Sequence, residues 1–261
     1  MKNIFDEEFD DELLPAEISE MLGGKISVDE VYRQAKNMMW SVVQLKELQM
    51  AYSCALKEMR TKFEVLDAEF KLKYKRNPIN SITTRLKRTE SIISKLVKYG
   101  VPVSLDSIEA NVNDVAGIRV ICPYIDDIYQ IADALLSQAD VTLIERKDYI
   151  QNPKPNGYRS LHLIVSIPVF FSNGKKDIKV EVQIRTIAMD FWASLEHQMK
   201  YKHNIPDQDA IGAELKKCAD VIAETDKQML SLRNRIESAE DAQTEEDILL
   251  EKLRRLDMPL G

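Results

Sequence analysis

Between Asp177 and Arg185 the chain reads Asp-Ile-Lys-Val-Glu-Val-Gln-Ile-Arg, polar and apolar residues alternating without a break. A β-strand sends successive side chains to opposite faces, so this pattern specifies a half-buried strand and says which residue lies on which side. Ile178, Val180, Val182 and Ile184 face a core, while Lys179, Glu181, Gln183 and Arg185 line the other face. A row holding a carboxylate, an amide and a guanidinium is costly to order unless partners or a ligand satisfy it. Two further stretches, Asp114-Val-Ala-Gly-Ile-Arg119 and Lys154-Pro-Asn-Gly-Tyr-Arg-Ser-Leu-His162, carry the same residue types. Together the three point to a site that handles metal and phosphate.

The rest of the chain is organised around that strand. Residues 28–76 combine helix formers with apolar residues at helical spacing and lack Gly and Pro, which predicts one long or two shorter helices, with Ser27 as a cap. Asn77-Pro78 breaks the pattern, and a second helix is expected from about Ser81 to Tyr99, ending at Gly100. From residue 112 strands and helices mix: strands at Ile118–Cys122, Val141–Glu145, Leu161–Ile167 and Ile178–Ile184, helices at Asp126–Gln138 and 187–202. Asn204-Ile-Pro206 interrupts, and 209–257 is helical again. The expected class is α/β (α+β), a mixed sheet of about five strands flanked by helices with N- and C-terminal helical extensions. The expected division is an acidic tail over 1–24, a central unit over 25–204 and a helical extension over 205–261. The strand region is too short for a doubly wound dinucleotide fold and has no Gly-x-Gly-x-x-Gly loop.

Composition narrows the classes. At 261 residues and 44% hydrophobic content the chain can bury a core, and no run of about 18 apolar residues exists to cross a membrane. The first 20 residues are acidic, so no secretory leader is expected. Cys54, Cys122 and Cys218 are odd in number and far apart, which suits reduced thiols in the cytoplasm better than disulfides or a zinc site. The net charge of −7 hides a segregation: residues 71–99 hold nine Lys or Arg and one acid, Glu90. Such a field attracts phosphates, and it also describes a solvated basic helix.

On a helix over Ser81–Tyr99, Lys87, Ser91 and Lys95 share one face, with Ile82, Leu86, Ile93 and Val97 opposite them toward the core. Two ammonium groups and a hydroxyl in a row suit a polyphosphate, and Arg85 and Arg88 add groups that stack or fork onto phosphate. Asp114, just before a strand, and Glu181, on a polar strand face, are two carboxylates that can hold Mg²⁺ together with substrate phosphates, or simply form ion pairs. Arg119 can stack on a base or complete such a pair. In the 154–162 segment Pro155-Asn-Gly157 makes a turn from which Tyr158 projects, and His162 points to the polar face opposite Leu161, Leu163 and Val165. On the next helix Phe191 and Leu195 are expected to bury while Asp190 and His197 share a face.

In order along residues 80–202, Arg85-x-Lys87 with Ser91 and Lys95, Asp114-Val-Ala-Gly-Ile-Arg119, Asp148-Tyr-Ile150, Lys154-Pro-Asn-Gly-Tyr-Arg-Ser-Leu-His162, Glu181-Val-Gln-Ile-Arg-Thr186 and Trp192-x-x-x-Glu196-His197 resemble the synthetase domain of RelA/SpoT-type alarmone synthetases. The resemblance implies transfer of the β,γ-pyrophosphate of ATP to the 3′-hydroxyl of GDP or GTP, with Mg²⁺, giving (p)ppGpp and AMP. It implies that Arg85 and Arg119 sandwich adenine and that Lys87, Ser91 and Lys95 hold ATP phosphates. Asp114 and Glu181 would bind Mg²⁺, with Glu181 also the general base. Tyr158 would stack on guanine, Lys147, Lys154 and His162 would lie near acceptor phosphates, and Gln183 and Arg185 would support that face. The chain looks like a small, stand-alone member: its three histidines, 162, 197 and 203, leave no His-Asp hydrolase site ahead of the synthetase. Relatives of this kind commonly form tetramers, for which 209–257 is the expected contact.

Three positions depart from the family pattern. Ser81-Ile-Thr-Thr84 stands where some small synthetases carry a Phe-Val-Thr-Gly-like alarmone-binding stretch, Lys147 replaces a common Arg, and Asp190 replaces a common Asn. Two other readings compete: a relative that pyrophosphorylates the 3′ end of tRNA, using Lys71, Lys73, Lys75 and Arg76, and a non-catalytic nucleotide- or RNA-binding module, which would not need both Asp114 and Glu181.

Overall fold

The computed structural model describes residues 28–74, 76–200 and 208–241, with four single positions beyond. The acidic tail over 1–24, Ser27 and the 204–206 break lie outside the described residues. The chain divides into two units, residues 1–50 and 51–261. In the first, the described residues are helical from Val28, and that helix, α1, runs to Tyr74 without interruption. Within the second unit its buried residues Tyr52, Ala55, Met59, Phe63 and Leu66 recur every three or four positions, one apolar stripe of a helix. Lys62 donates to Gln138 and to both Asp140 oxygens, which anchors this part of α1.

A five-stranded mixed sheet is the frame of the second unit: β1 Ser81–Leu86, β2 Ala116–Cys122, β3 Thr142–Asp148, β4 Leu161–Phe171 and β5 Gly174–Thr186, in the order β1-β2-β5-β4-β3. Only β2 and β5 run parallel; the other pairs are antiparallel. The central strand is the one whose alternation is strictest, and its Ile178, Val180, Val182 and Ile184 are buried as the pattern requires. Leu161, Leu163 and Val165 of β4 are fully buried beside them. The described helices after α1 are α2 Thr89–Tyr99, α3 Leu105–Asn111, α4 Ile125–Leu136, α5 Ile187–Lys200 and α6 Gln208–Asp241. α4 buries Ile128, Ile131, Ala132 and Leu135 on one side, and α6 packs on α5 and α4.

Two expectations are corrected. Ser81–Tyr99 is not one helix: Ser81–Leu86 is an edge strand paired antiparallel with β2, and α2 begins at Thr89. The β-branched run Ile82-Thr83-Thr84 suits a strand better than a helix. The shorter helix turns a different face inward, so Ile92 and Leu96 are buried while Ile93 and Val97 are exposed. Its end is where the sequence puts it: Gly100, at φ 68°, closes α2 in the left-handed conformation that glycine adopts without a Cβ penalty. On α5, Phe191 is 60% exposed and Leu195 37%, while Met189, Trp192, Ala193 and Glu196 are buried. Trp192 is drawn inward by a bond from its Nε1 to the Leu215 carbonyl of α6, 2.9 Å, and by apolar contact with Ala219.

Candidate active site

Strand register assembles the site. Thr83, Arg119, Gln183, His162 and Lys147 stand opposite one another across β1, β2, β5, β4 and β3, so one row of side chains crosses the polar face of the whole sheet. In the adjacent row Gly117 lies between Arg85 and Glu181. With no side chain at 117 the sheet face is open there, and a cavity of 420 Å³ forms over it. Thr83, Arg85, Lys87, Asp114, Gly117, Ile118, Arg119, Glu181 and Gln183 line it.

The cations expected to hold phosphate come from three elements rather than one helix face, Arg85 and Lys87 lining the cavity and Lys95 joined to it through Asp114. Arg85 comes from β1, Lys87 from the turn after it, where its backbone N–H donates to the Val115 carbonyl at 2.8 Å, and Lys95 from α2. Lys87 and Lys95 each donate to one oxygen of Asp114 at 2.8 Å. Burial alone would raise the Asp114 pKa, but those two ammonium groups outweigh it and hold the carboxyl below its ordinary value. Ser91, one helical turn before Lys95, makes no hydrogen bond in this network among the described residues.

Glu181 is the hinge between the two halves of the site. Its Oε1 lies 3.2 Å from His162 Nδ1, and its Oε2 accepts from Gln183 Nε2 at 3.1 Å. Burial pushes its pKa up, yet His162 and Gln183 together pull it below the usual carboxylate value. Both carboxylates are therefore anionic at neutral pH. His162 continues the chain: its Nε2 lies 2.7 Å from the Tyr158 hydroxyl, which also accepts from Arg185 Nη2 at 2.5 Å. Arg185 is buried, donates to Gln183 and to Ser160, and pairs with Asp190 at 3.1 Å. Asp190 pairs with Arg119 as well, at 3.3 Å, and thus sits between a cavity-lining guanidinium and one on the His162 side. Among the described residues the buried Nε of Arg119 has no hydrogen-bond partner.

The 154–162 segment forms the rim beyond His162. Gly157 takes φ 89°, open to glycine at little cost, and its N–H closes the turn onto Lys154. Lys154 Nζ lies 4.5 Å from the Tyr149 ring centre and 4.9 Å from that of Tyr158, close enough for cation–π attraction to both. Lys147 is near in register, but its ammonium is paired with Glu145 at 2.9 Å, and that bond raises its pKa.

Sequence reasoning missed Tyr149, whose ring packs edge-on against His162 at 5.2 Å and Tyr158 at 6.0 Å, although Asp148-Tyr-Ile150 was a visible motif. Thr83 escapes it because Ser81–Leu86 reads as helix, and the role of Gly117 emerges only where the strands set it between Arg85 and Glu181. Asn156 holds its loop by donating to Glu196 of α5 at 3.0 Å. Among the described residues no group of three or more His, Cys, Asp or Glu side chains converges as a metal cage. Asp114 and Glu181 line one cavity as two anionic oxygen donors, which is the donor set that Mg²⁺ takes when phosphates supply the rest.

Comparison with known proteins identifies the family. Residues 84–206 match the family described as the region found in RelA / SpoT proteins. The GTP pyrophosphokinase YwaC of Bacillus subtilis (strain 168) is 42% identical over 188 residues, 72% of this chain and 90% of that protein. The GTP pyrophosphokinase YjbM of the same organism is 34% identical over 193 residues, 73% and 89% of the two chains. The crystal structure of the small alarmone synthetase 1 from Bacillus subtilis bound to its product pppGpp superposes with a TM-score of 0.67 at 32% identity, covering 74% of this chain and 98% of that one. The chain belongs to the RelA/SpoT family, on the side of its small alarmone synthetases. Nothing in these similarities supports the tRNA-modifying alternative, and Arg76, one of the cations behind it, is committed to the buried Asp127.

Proposed function

We propose that this protein is a (p)ppGpp synthetase that moves the β,γ-pyrophosphate of ATP to the 3′-hydroxyl of GDP or GTP. The observation that carries the proposal is the position of Glu181, which lines the cationic cavity with Asp114 and at the same time touches His162 of the aromatic rim. A donor nucleotide in the cavity and an acceptor on the rim would meet at that carboxylate.

In this reading Arg85 and Arg119 flank the adenine, and Lys87, Ser91 and Lys95 take the triphosphate. Tyr158 stacks on guanine, with Lys154, Lys147 and His162 near the acceptor phosphates and Gln183 and Arg185 holding that side. Glu181, kept ionised, accepts the proton of the 3′-hydroxyl. The freed oxygen bonds to the β-phosphorus, the bond from that phosphorus to the α-bridging oxygen breaks, and its electron pair leaves on AMP. The cations lower the cost of bringing two polyphosphates together, which is where most of the acceleration in phosphoryl-type transfer arises. Asp114 and Glu181 are the residues that would hold Mg²⁺, whose chemistry is to neutralise charge on the transferred group. Both Asp114 oxygens keep lone pairs beyond those used by Lys87 and Lys95, so ligation and the ion pairs are compatible. Placement in the cytoplasm, where both nucleotides are abundant, fits the reduced cysteines and the fact that no described helix is long and apolar enough to cross a membrane. A homotetramer is the assembly proposed.

The test is product analysis after incubation with ATP and Mg²⁺ and, in parallel, GMP, GDP, GTP or deacylated tRNA. A guanosine 3′-diphosphate product formed mole for mole with AMP supports the proposal and ranks the acceptors. Product on tRNA alone, or none at all, contradicts it.

A further inference from the structure

The rim that carries Tyr158 does not stand alone; it is seated on the C-terminal helix. A Cβ built on Gly157 would lie 2.6 Å from the Ala219 Cβ of α6 and 3.4 Å from the Lys216 Cα, so the loop backbone touches the helix where a larger residue would collide. Next to it the Arg159 side chain, 17% exposed, forks in three directions. Its Nη1 donates to the Gly157 carbonyl and to the Ala219 carbonyl, both at 3.1 Å, and its Nη2 donates to Asp220 Oδ1 at 3.1 Å. One guanidinium thus ties the turn to itself and to α6. Tyr158 is packed against the same place, on the small cluster of Trp192, Ala193 and Ala219.

We infer that Arg159 is a positioning residue for acceptor specificity: through its grip on α6 it holds Tyr158 in stacking position without touching either nucleotide. The inference rests on the reading of 154–162 as the acceptor rim. A loop ordered in advance does not charge its ordering entropy to the ligand, whereas a loosened one passes that cost to acceptor affinity. Of the ATP-side cations, Arg85, Lys87 and Lys95 are placed by β1, the turn after it and α2, and Arg119 by β2, none of them by the 154–162 rim. Loosening the rim should therefore leave donor binding alone. Two neighbouring contacts do less: Trp192 binds the Leu215 carbonyl and Asn156 binds Glu196, whereas Arg159 bonds both the turn and α6.

The experiment is steady-state kinetics of the full chain with labelled ATP, varying GDP and ATP in turn, for wild type, Arg159→Ala, Arg159→Lys and Asp220→Ala, with a thermal melt of each. Loss of hydrogen bonds from a charged group predicts a rise of roughly tenfold in the GDP KM of Arg159→Ala. The ATP KM and the kcat at saturating GDP should stay within about twofold. Arg159→Lys keeps the charge and stem but not the fork, so a partial rise is expected, and it carries the test if the alanine variant melts below assay temperature. Asp220, exposed on α6, should give a small rise in the same direction. A lower melting temperature with an unchanged GDP KM, or an equal rise in both KM values, overturns the role of Arg159 and leaves the synthetase reading intact. Failure of the wild type to label GDP overturns that reading and this inference with it.

Discussion

Glu181 and Tyr158 divide the labour of the site at the scale of single residues. Glu181→Gln keeps the shape and the contact with His162 but removes the anion. We expect kcat to fall by about a thousandfold or more with the melting temperature nearly unchanged, read by single-turnover transfer and a thermal melt. Tyr158→Ala should raise the acceptor KM about tenfold while the ATP KM stays put, since a lost stack is worth about 1–3 kcal/mol; a selective effect on ATP would reverse the two subsites. The carboxylates also set a pH signature. Asp114 and Glu181 have folded pKa values below their ordinary ones. Their contribution to stability is complete above the ordinary carboxylate values and fades as pH drops through the lowered ones. Chemical denaturation from pH 7 to pH 3 should therefore show a shallower acid loss in Glu181→Gln than in wild type; identical slopes would mean that Glu181 is not held ionised by His162 and Gln183.

Among the elements, β4 and β5 hold the site in place from beneath. Leu163 is fully buried opposite Val182, and Leu163→Ala should cost about 2–5 kcal/mol of unfolding free energy in urea titration. The same pair of strands explains what could be read in advance. β5 declared itself because a strand with one buried and one polar face leaves an unbroken alternation, and that alternation delivered Glu181, Gln183 and Arg185 to one side. β1 is illegible as a strand because it lies at the sheet edge, where none of its six residues is deeply buried to enforce a period, and because good helix formers follow it directly. Reading β1 as helix puts Arg85 and Lys87 on the wrong element yet not out of the site, since Lys87 meets Lys95 at Asp114 from the turn after the strand. On α5 the spacing favours Phe191 and Leu195 as the apolar stripe, but the contact with α6 selects Trp192, and only a tertiary partner decides between adjacent faces of a helix. The double pairing of Asp190 with Arg119 and Arg185 joins residues 71 and 5 positions away, and no local pattern reports it.

For the molecule as a whole, opposite charges are kept apart along the chain: the acidic first 20 residues and the basic 71–99 region are both obscured by the net −7. Some of that basic charge is structural, as Arg76 faces the fully buried Asp127, which Arg233 of α6 also approaches at 3.9 Å. α6 therefore packs on its own chain through Arg159, Trp192, Thr186 and Arg233 while Val221, Met229, Leu232 and Ile236 stay exposed. If the proposed tetramer exists, light scattering coupled to size exclusion should give four times the chain mass, and a single chain mass at micromolar protein would remove the tetramer from the account. The central claim concerns which bond of ATP breaks. ATP labelled separately at the α- and γ-phosphorus, with GDP and Mg²⁺, decides it: the account predicts that γ label moves onto the guanine nucleotide while α label leaves as AMP. Release of the α label as ADP would mean that a single phosphate is transferred, and the pyrophosphate mechanism built around Glu181 would be wrong.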